Sequence, residues 1–286
     1  MAELRDRVWS VTVGALVGGV RKGLKVDKHR VSFRAEKTLK PEPNKCEISI
    51  HNLSAEQRGQ IEELRPKAGD ARGIPLLIEA GYKSTGLTQI WLGDLRTAYS
   101  EYSKPDWVTK IETGDGEAAK GSTVHVAYGP GTSPDVALRA IVKALGIDEG
   151  NAAAAAVKLR QAGGASLFPK RLVLSGSASR TLDLFCQSAG LEYSVQDGAV
   201  QILDRGKVLS SKAVKLGPRT GLIESPSVDP KGVLSFKMLI QPDIKCGSLL
   251  VVDSSTAKGN YRITKATWEG DTHAQPWYIS GEATRY

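Results

Sequence analysis

The chain has 286 residues, 41% hydrophobic and 24% charged, a balance that excludes a disordered or collagen-like polypeptide and fits two or three modest domains. With 39 Lys plus Arg against 31 Asp plus Glu the formal charge is +8, which suits an acidic partner or nucleic acid, but no dense basic block is present to grip either. Cys46, Cys186 and Cys246 stand too far apart for a disulfide framework or a zinc site, so buried reduced thiols are expected and no metal or cofactor is assigned.

In chain order, Arg7 to Val13 predicts a strand, and the glycine-rich Gly14 to Gly23 a hairpin loop without the glycine order of a dinucleotide fingerprint. Gly14, Gly18 and Gly19 interrupt the apolar stretch that a signal peptide would need, and no run reaches the roughly 20 apolar residues of a membrane span. The expectation is a protein made in the cytoplasm. Strands follow at Arg30 to Ala35 and Lys45 to Leu53, alternating through Val31, Phe33 and Ala35 and then Cys46, Ile48 and Ile50. Ser54 and Gln57 have the spacing of a capping box opening a short helix, with Ile61 and Leu64 on its apolar side and Pro66 beyond its end. Ile74 to Tyr82 and Thr88 to Tyr99 predict strands joined by a Lys83-Ser84-Thr85-Gly86 turn, and a strand from Asp106 to Glu112 closes at Thr113-Gly114-Asp115-Gly116.

The middle changes character. Ser122 to Tyr128 predicts a strand, after which Ser133 caps a helix with Pro134 at its first position and Gly146 at its end. The same grammar recurs: Arg171 to Leu174 is a strand, Ser177 or Ser179 a cap, and Leu182, Phe185, Cys186 and Ala189 the face of a helix that stops at Gly190. Asp197-Gly198 between Glu192 to Val195 and Ala199 to Leu203 is a type I′ hairpin signal. Asn151 to Gln161, with five consecutive alanines, reads as an inserted helix or a flap, loosely tied through Gly163, Gly164 and Ser166.

The last third returns to β, with strands at Val233 to Ile240, Ser248 to Val252, Tyr261 to Trp268 and Trp277 to Ala283. It echoes the first. A Gly-led apolar strand (Gly73 to Ile78; Gly247 to Val252) precedes a Trp strand reaching Gly-Asp (Trp91 to Asp94; Trp268 to Asp271), then a Trp-led strand (Trp107 to Glu112; Trp277 to Glu282). The predicted fold is mainly β with an α/β insertion: two β-barrels, at residues 1–116 and 212–286, flanking a small α+β domain at 117–211 that contains two strand-helix units.

This order of segments resembles the baseplate hub proteins of phage tails, the tail-hub or late control protein D-like family, and their relatives in phage-like secretion devices. The resemblance rests on Asn44 to Ser54, Ile74 to Tyr82, Ile90 to Asp94 and Trp107 to Glu112, then on Gly221 to Pro226, Gly232-Val233, Leu239 to Gly247, Gly259 to Ile263 and Trp268 to Trp277. It implies tail-tube-like barrels and a homotrimer whose six barrels form a pseudo-sixfold ring, joining a hexameric tail tube to a spike or tip around an axial channel. The implied partners are the tail tube protein, the spike or tip protein, other baseplate proteins, and, without specific contacts, the tape-measure protein and transiting DNA in the lumen. The implied place is the virion tail, after assembly in the host cytoplasm.

Against enzyme chemistry, His29, His51, His125 and His273 lie apart, with no metal-ligand spacing. Asp271-Thr272-His273 with Ser280 nearby reads better as a turn than as a catalytic set, and Gly129 to Ser133 lacks the lysine of a phosphate loop. No catalytic residue is assigned. Cell-wall hydrolysis would need an acid such as Glu269 or Asp271. Trp91, Trp107, Trp268 and Trp277 read as core or subunit contacts before a sugar platform. The alternative function is a tail-tip module binding a cell-wall carbohydrate or a partner protein through Gly121 to Gly206.

Overall fold

The computed structural model describes residues 6–14, 16–17, 20–21, 23–66, 73–162, 170–210, 212–241 and 244–286. The predicted linker at Gly163, Gly164 and Ser166 lies outside them. The chain divides into two compact units, one of Met1–Thr38, Asn44–Asp115 and Val208–Tyr286, the other of Leu39–Pro43 and Gly116–Lys207.

The first unit opens with β1 (Arg7–Val13), β2 (Leu16–Val17), β3 (Val20–Arg21), β4 (Leu24–Val26), β5 (Val31–Thr38) and β6 (Lys45–His51). After α1 (Ala55–Glu63) come β7 (Pro75–Tyr82), the long β8 (Gly86–Ser103) and β9 (Asp106–Gly114). The period-2 pattern of β5 and β6 puts Val31, Phe33 and Ala35, with Cys46, Ile48 and Ile50, on the buried face. The capping box forms as predicted: Gln57 N donates to Ser54 Oγ at 3.1 Å, and Ser54 N to Gln57 Oε1 at 3.1 Å. Ile61 is the residue α1 buries fully, so the cap carries much of its stability. Ser54→Ala should cost about 1 kcal/mol, read as a small shift of the urea midpoint without change of slope.

The second unit holds β10 (Thr123–Tyr128), α2 (Pro134–Leu145), α3 (Ala152–Ala162), β11 (Leu172–Ser177), α4 (Ala178–Ser188), β12 (Leu191–Gln196) and β13 (Ala199–Asp204). Its core comprises Leu138, Ile141 and Leu145 of α2 with Leu182 and Cys186 of α4, against Val124 and Ile202 of the strands. Asp197 and Gly198 both have positive φ, 56° and 80°, as a type I′ hairpin requires. The alanine-rich stretch is a packed helix, not a flap. Ala152, Ala155 and Ala156 are buried in the core, and the Asn151 side chain bonds both the N–H and the C=O of Ile202 at 2.7 Å. Small side chains let α3 approach α2 closely. Among the described residues no helix is long and apolar enough to cross a membrane.

The chain then returns to the first unit with β14 (Ala213–Leu216), β15 (Leu222–Val228), β16 (Val233–Leu239), β17 (Leu249–Asp253), β18 (Lys258–Asp271) and β19 (Trp277–Arg285). The prediction of a mainly β chain holds, but the two barrels are not seen as separate closed sheets. Strands of both ends of the chain share one 13-stranded sheet, running β15-β16-β19-β18-β5-β6-β9-β8-β7-β1-β4 with β17 and β14 branching from β18. Among the described residues this path stays open. It is a duplication nonetheless: β5-β6-β9-β8-β7 repeats as β15-β16-β19-β18-β17, each successive pair antiparallel.

The two copies can be set level residue by residue. Both β8·β9 and β18·β19 carry an irregularity, between Leu95 and Thr97 in one and between Ile263 and Lys265 in the other. Lys265 therefore stands where Thr97 does, and Trp277 where Trp107 does. The predicted match of Trp91 with Trp268 is corrected, because Trp268 is level with Ser100. Matching Gly-Asp pairs misled the alignment, since their spacing from the irregularity differs between the copies.

Candidate functional site

The most elaborate chemistry of the first unit lies where its two halves join. Strand β18 is long enough to serve two neighbours on one edge: Lys258–Arg262 pairs with β17, and Lys265–Asp271 with β5, in the register Trp268 to Ala35 and Asp271 to Ser32. Near one end of this seam, opposite Ala266, Lys37 is buried, 5% exposed, with Nζ 5.6 Å from the Trp91 ring centroid and 5.5 Å from that of Trp268. A desolvated ammonium between two indole faces is held by their quadrupoles, each such contact reaching about 2 kcal/mol when buried.

The middle of the seam carries an ion-pair cluster. Arg34 bonds Glu269, and also Glu36 at 3.1 Å, while Lys45 approaches Glu36 at 3.4 Å and Tyr278 Oη donates to Glu269 at 2.8 Å. Burial opposes ionisation of Glu36, but the Arg34 hydrogen bond and the charges of Lys265 and Lys45 outweigh it and hold its pKa below the usual carboxylate range. At the last pair of the seam Asp271 is 6% exposed and accepts from Arg30 Nη2 at 2.8 Å and from the amides of His273 and Ala274 at 2.9 and 3.0 Å. Burial again opposes its charge, and the Arg30 hydrogen bond with the two amides prevails, lowering the pKa. Arg7 Nη1 donates to the Asp271 carbonyl at 2.7 Å. Glu269 and Asp271, the acids a hydrolase would have needed, are thus engaged in salt bridges and turn hydrogen bonds.

The remaining candidates do not converge. His273 Nδ1 meets its neighbour Thr272 Oγ1 at 2.8 Å, and Ser280 lies in β19 opposite Thr267. His51 is 3.9 Å from Asp106, and exposed His125 bonds Ser175 at 3.1 Å. His29 is half-buried in the turn before β5. The residues Gly129 to Ser133 lead into α2, where Ser133 Oγ donates to the carboxylate of Asp135, so the helix N-terminus already faces an anion of its own. Cys46, Cys186 and Cys246 are buried thiols, as expected, and burial pushes the Cys186 thiol up to about 12 and that of Cys46 upward as well. Trp91, Trp268 and Trp277 are core residues, and Trp107 is 40% exposed under the Arg58 guanidinium, 4.1 Å from its ring centroid.

Sequence reading missed the seam and β15. Lys37 had a signal: it occupies the fourth inward position of the alternation Val31, Phe33, Ala35, Lys37. Pro226 hid β15, because a proline demotes a run to an edge strand or none.

Residues 11–283 match the model of a family described as baseplate hub gp41. The fold is similar to the 43 kDa tail protein of prophage MuSo2 from Shewanella oneidensis, with TM-score 0.63 and 9% identity over 98% of this chain and 97% of that one. A tail protein from Neisseria meningitidis MC58 gives TM-score 0.58 and 10% identity, covering 98% and 96%. An Escherichia coli component of the type VI secretion system, described as structurally similar to T4 bacteriophage tail proteins gp27 and gp5, gives 0.56 and 10%, covering 96% and 76%. No curated protein matches the sequence. With the family model spanning nearly the whole chain and the fold shared by phage tail proteins, the chain belongs to the baseplate hub gp41 family of phage tails.

Proposed function

We propose that the protein is the structural hub of a tail baseplate, three copies of which form a pseudo-sixfold ring that joins the hexameric tail tube to the spike or tip and surrounds an axial channel for DNA. The observation that carries this reading is the duplicated strand pairing within one chain. A sixfold tube cannot meet a threefold spike without an adaptor that offers both symmetries, and a trimer of duplicated halves does so. Each half would curl as one tube-like barrel. Glu269 and Asp271 are held in salt bridges and the three cysteines are buried, in keeping with a structural role. The net charge of +8 suits a neighbour that DNA must pass, without the dense basic contacts that would hold DNA in transit.

Light scattering of the purified protein alone should give three times the chain mass, rising above that when its tail tube protein is added, and particle images should show a ring with six similar lobes. A strict monomer under both conditions would overturn the reading.

A further inference from the structure

Among the described residues, one position of the repeat is covered in one half of the first unit and open in the other. In the C-terminal half, the distal part of β18, Lys265–Asp271, has β19 on one side and β5 on the other, and Ala266, Thr267, Trp268, Gly270 and Asp271 are all buried. In the N-terminal half the equivalent part of β8, Thr97–Ser103, pairs with β9 alone among the described residues. Thr97, Tyr99, Glu101, Tyr102 and Ser103 are exposed. Beside this open edge runs a groove of about 1020 Å³ between Glu62 and Glu63 of α1 and Thr97, Ala98 and Tyr99 of β8.

The strand that would fill it also has a counterpart. In the seam the covering strand is β5, and its equivalent in the other half is β15, which ends the sheet path and is largely exposed where β5, Arg34 apart, is half-buried or buried. Large exposed apolar side chains gather on these two edges: Tyr99 and Tyr102 on β8 and Trp107 beside them, Ile223 and Val228 on β15. Asp229 N–H bonds Val233, so Val228, one residue earlier, turns its backbone groups away from β16. Pro226 removes a donor from the same edge, which limits indiscriminate pairing without preventing a specific one.

We infer that β15 of one copy of this chain pairs antiparallel with the distal half of β8 of a second copy, repeating between chains the seam that β5 and β18 make within one. The register follows from the seam. Glu112 pairs with Glu47 as Glu282 pairs with Ser235, which sets Arg34 level with Ser227 and Ala35 level with Val228. Since Trp268 faces Ala35, Ser100 should face Val228 of the neighbour, and Glu101 its Ser227. The contact is head-to-tail, so each copy offers one β8 edge and one β15 edge, and three copies close the ring. This inference rests on the ring reading for the identity of its partner.

Ser100→Cys and Val228→Cys, placed in separate chains and mixed under oxidised glutathione, test it. Facing residues of an antiparallel pair have Cα atoms about 5 Å apart, within disulfide reach, and the native cysteines are buried. The expected result is a disulfide dimer in the mixture, none with either variant alone, and, for the doubly substituted chain, a covalent ladder that stops at three. In parallel, Tyr102→Lys with Val228→Lys, both at exposed positions, should weaken self-association at least tenfold while the melting curve of the monomer stays unchanged. A trimeric mass without the mixed disulfide would overturn the edge assignment and leave the ring standing. A monomer with no disulfide would overturn both.

Discussion

Trp268→Ala is expected to destabilise the first unit by about 4 kcal/mol, because the indole is 2% exposed and lies at the strand pair that joins the two halves. Two losses add. The cavity left by a buried tryptophan accounts for most of the cost, and removing one of the two rings over Lys37 leaves a buried ammonium with half of its aromatic support. All five tryptophans, Trp9, Trp91, Trp107, Trp268 and Trp277, belong to the first unit, so tryptophan fluorescence follows its unfolding in urea without signal from the second. Far-UV circular dichroism follows both. The fluorescence midpoint should fall while the transition of the helix-rich second unit stays in place. A double-mutant cycle between Trp268→Phe and Lys37→Met should return a coupling of about 1 kcal/mol. A Trp268→Ala cost below about 1 kcal/mol would show that the seam is not a structural centre of the unit.

Much of this fold was legible because local signals act over a few residues. The capping box at Ser54 and Gln57, the cap, proline and glycine of α2 at Ser133, Pro134 and Gly146, and the Asp197-Gly198 hairpin are all set by backbone chemistry that needs no distant partner. The echo between the ends of the chain was legible in order. What could not be read was how the ends meet, since the pairing of β18 with β5 links residues more than two hundred positions apart and depends on a shared edge. The same limit misplaced Trp91 against Trp268, because the Gly-Asp pairs suggested a register that only strand pairing could correct. The alanine-rich stretch reads as either an inserted helix or a flap for a related reason. Burial of Ala152, Ala155 and Ala156 comes from close packing on α2, which composition does not encode.

Asp271 gives the second large effect. Asp271→Asn should cost about 2 to 3 kcal/mol at neutral pH, since the substitution leaves Arg30 without its carboxylate and weakens acceptance from the His273 and Ala274 amides. The half-exposed Arg30 side chain is partly screened, which keeps the cost at the low end for a buried partner. The pH dependence carries the sign of a depressed acid. With its folded pKa below the ordinary value of about 3.9, ionised Asp271 contributes stability that is complete above that value and is lost as pH falls through the folded pKa. Glu36, also depressed, adds to the same acid limb through Arg34, Lys265 and Lys45. Urea unfolding followed by tryptophan fluorescence between pH 7 and pH 3 should therefore show the wild-type protein losing stability faster than Asp271→Asn at the acid end, so that the gap between them narrows. The gap between the wild-type protein and Arg30→Met should narrow in the same way, because in that variant the surviving carboxylate loses a partner that holds its pKa down. Parallel curves across the range would mean that the carboxylate contributes through shape and not through charge.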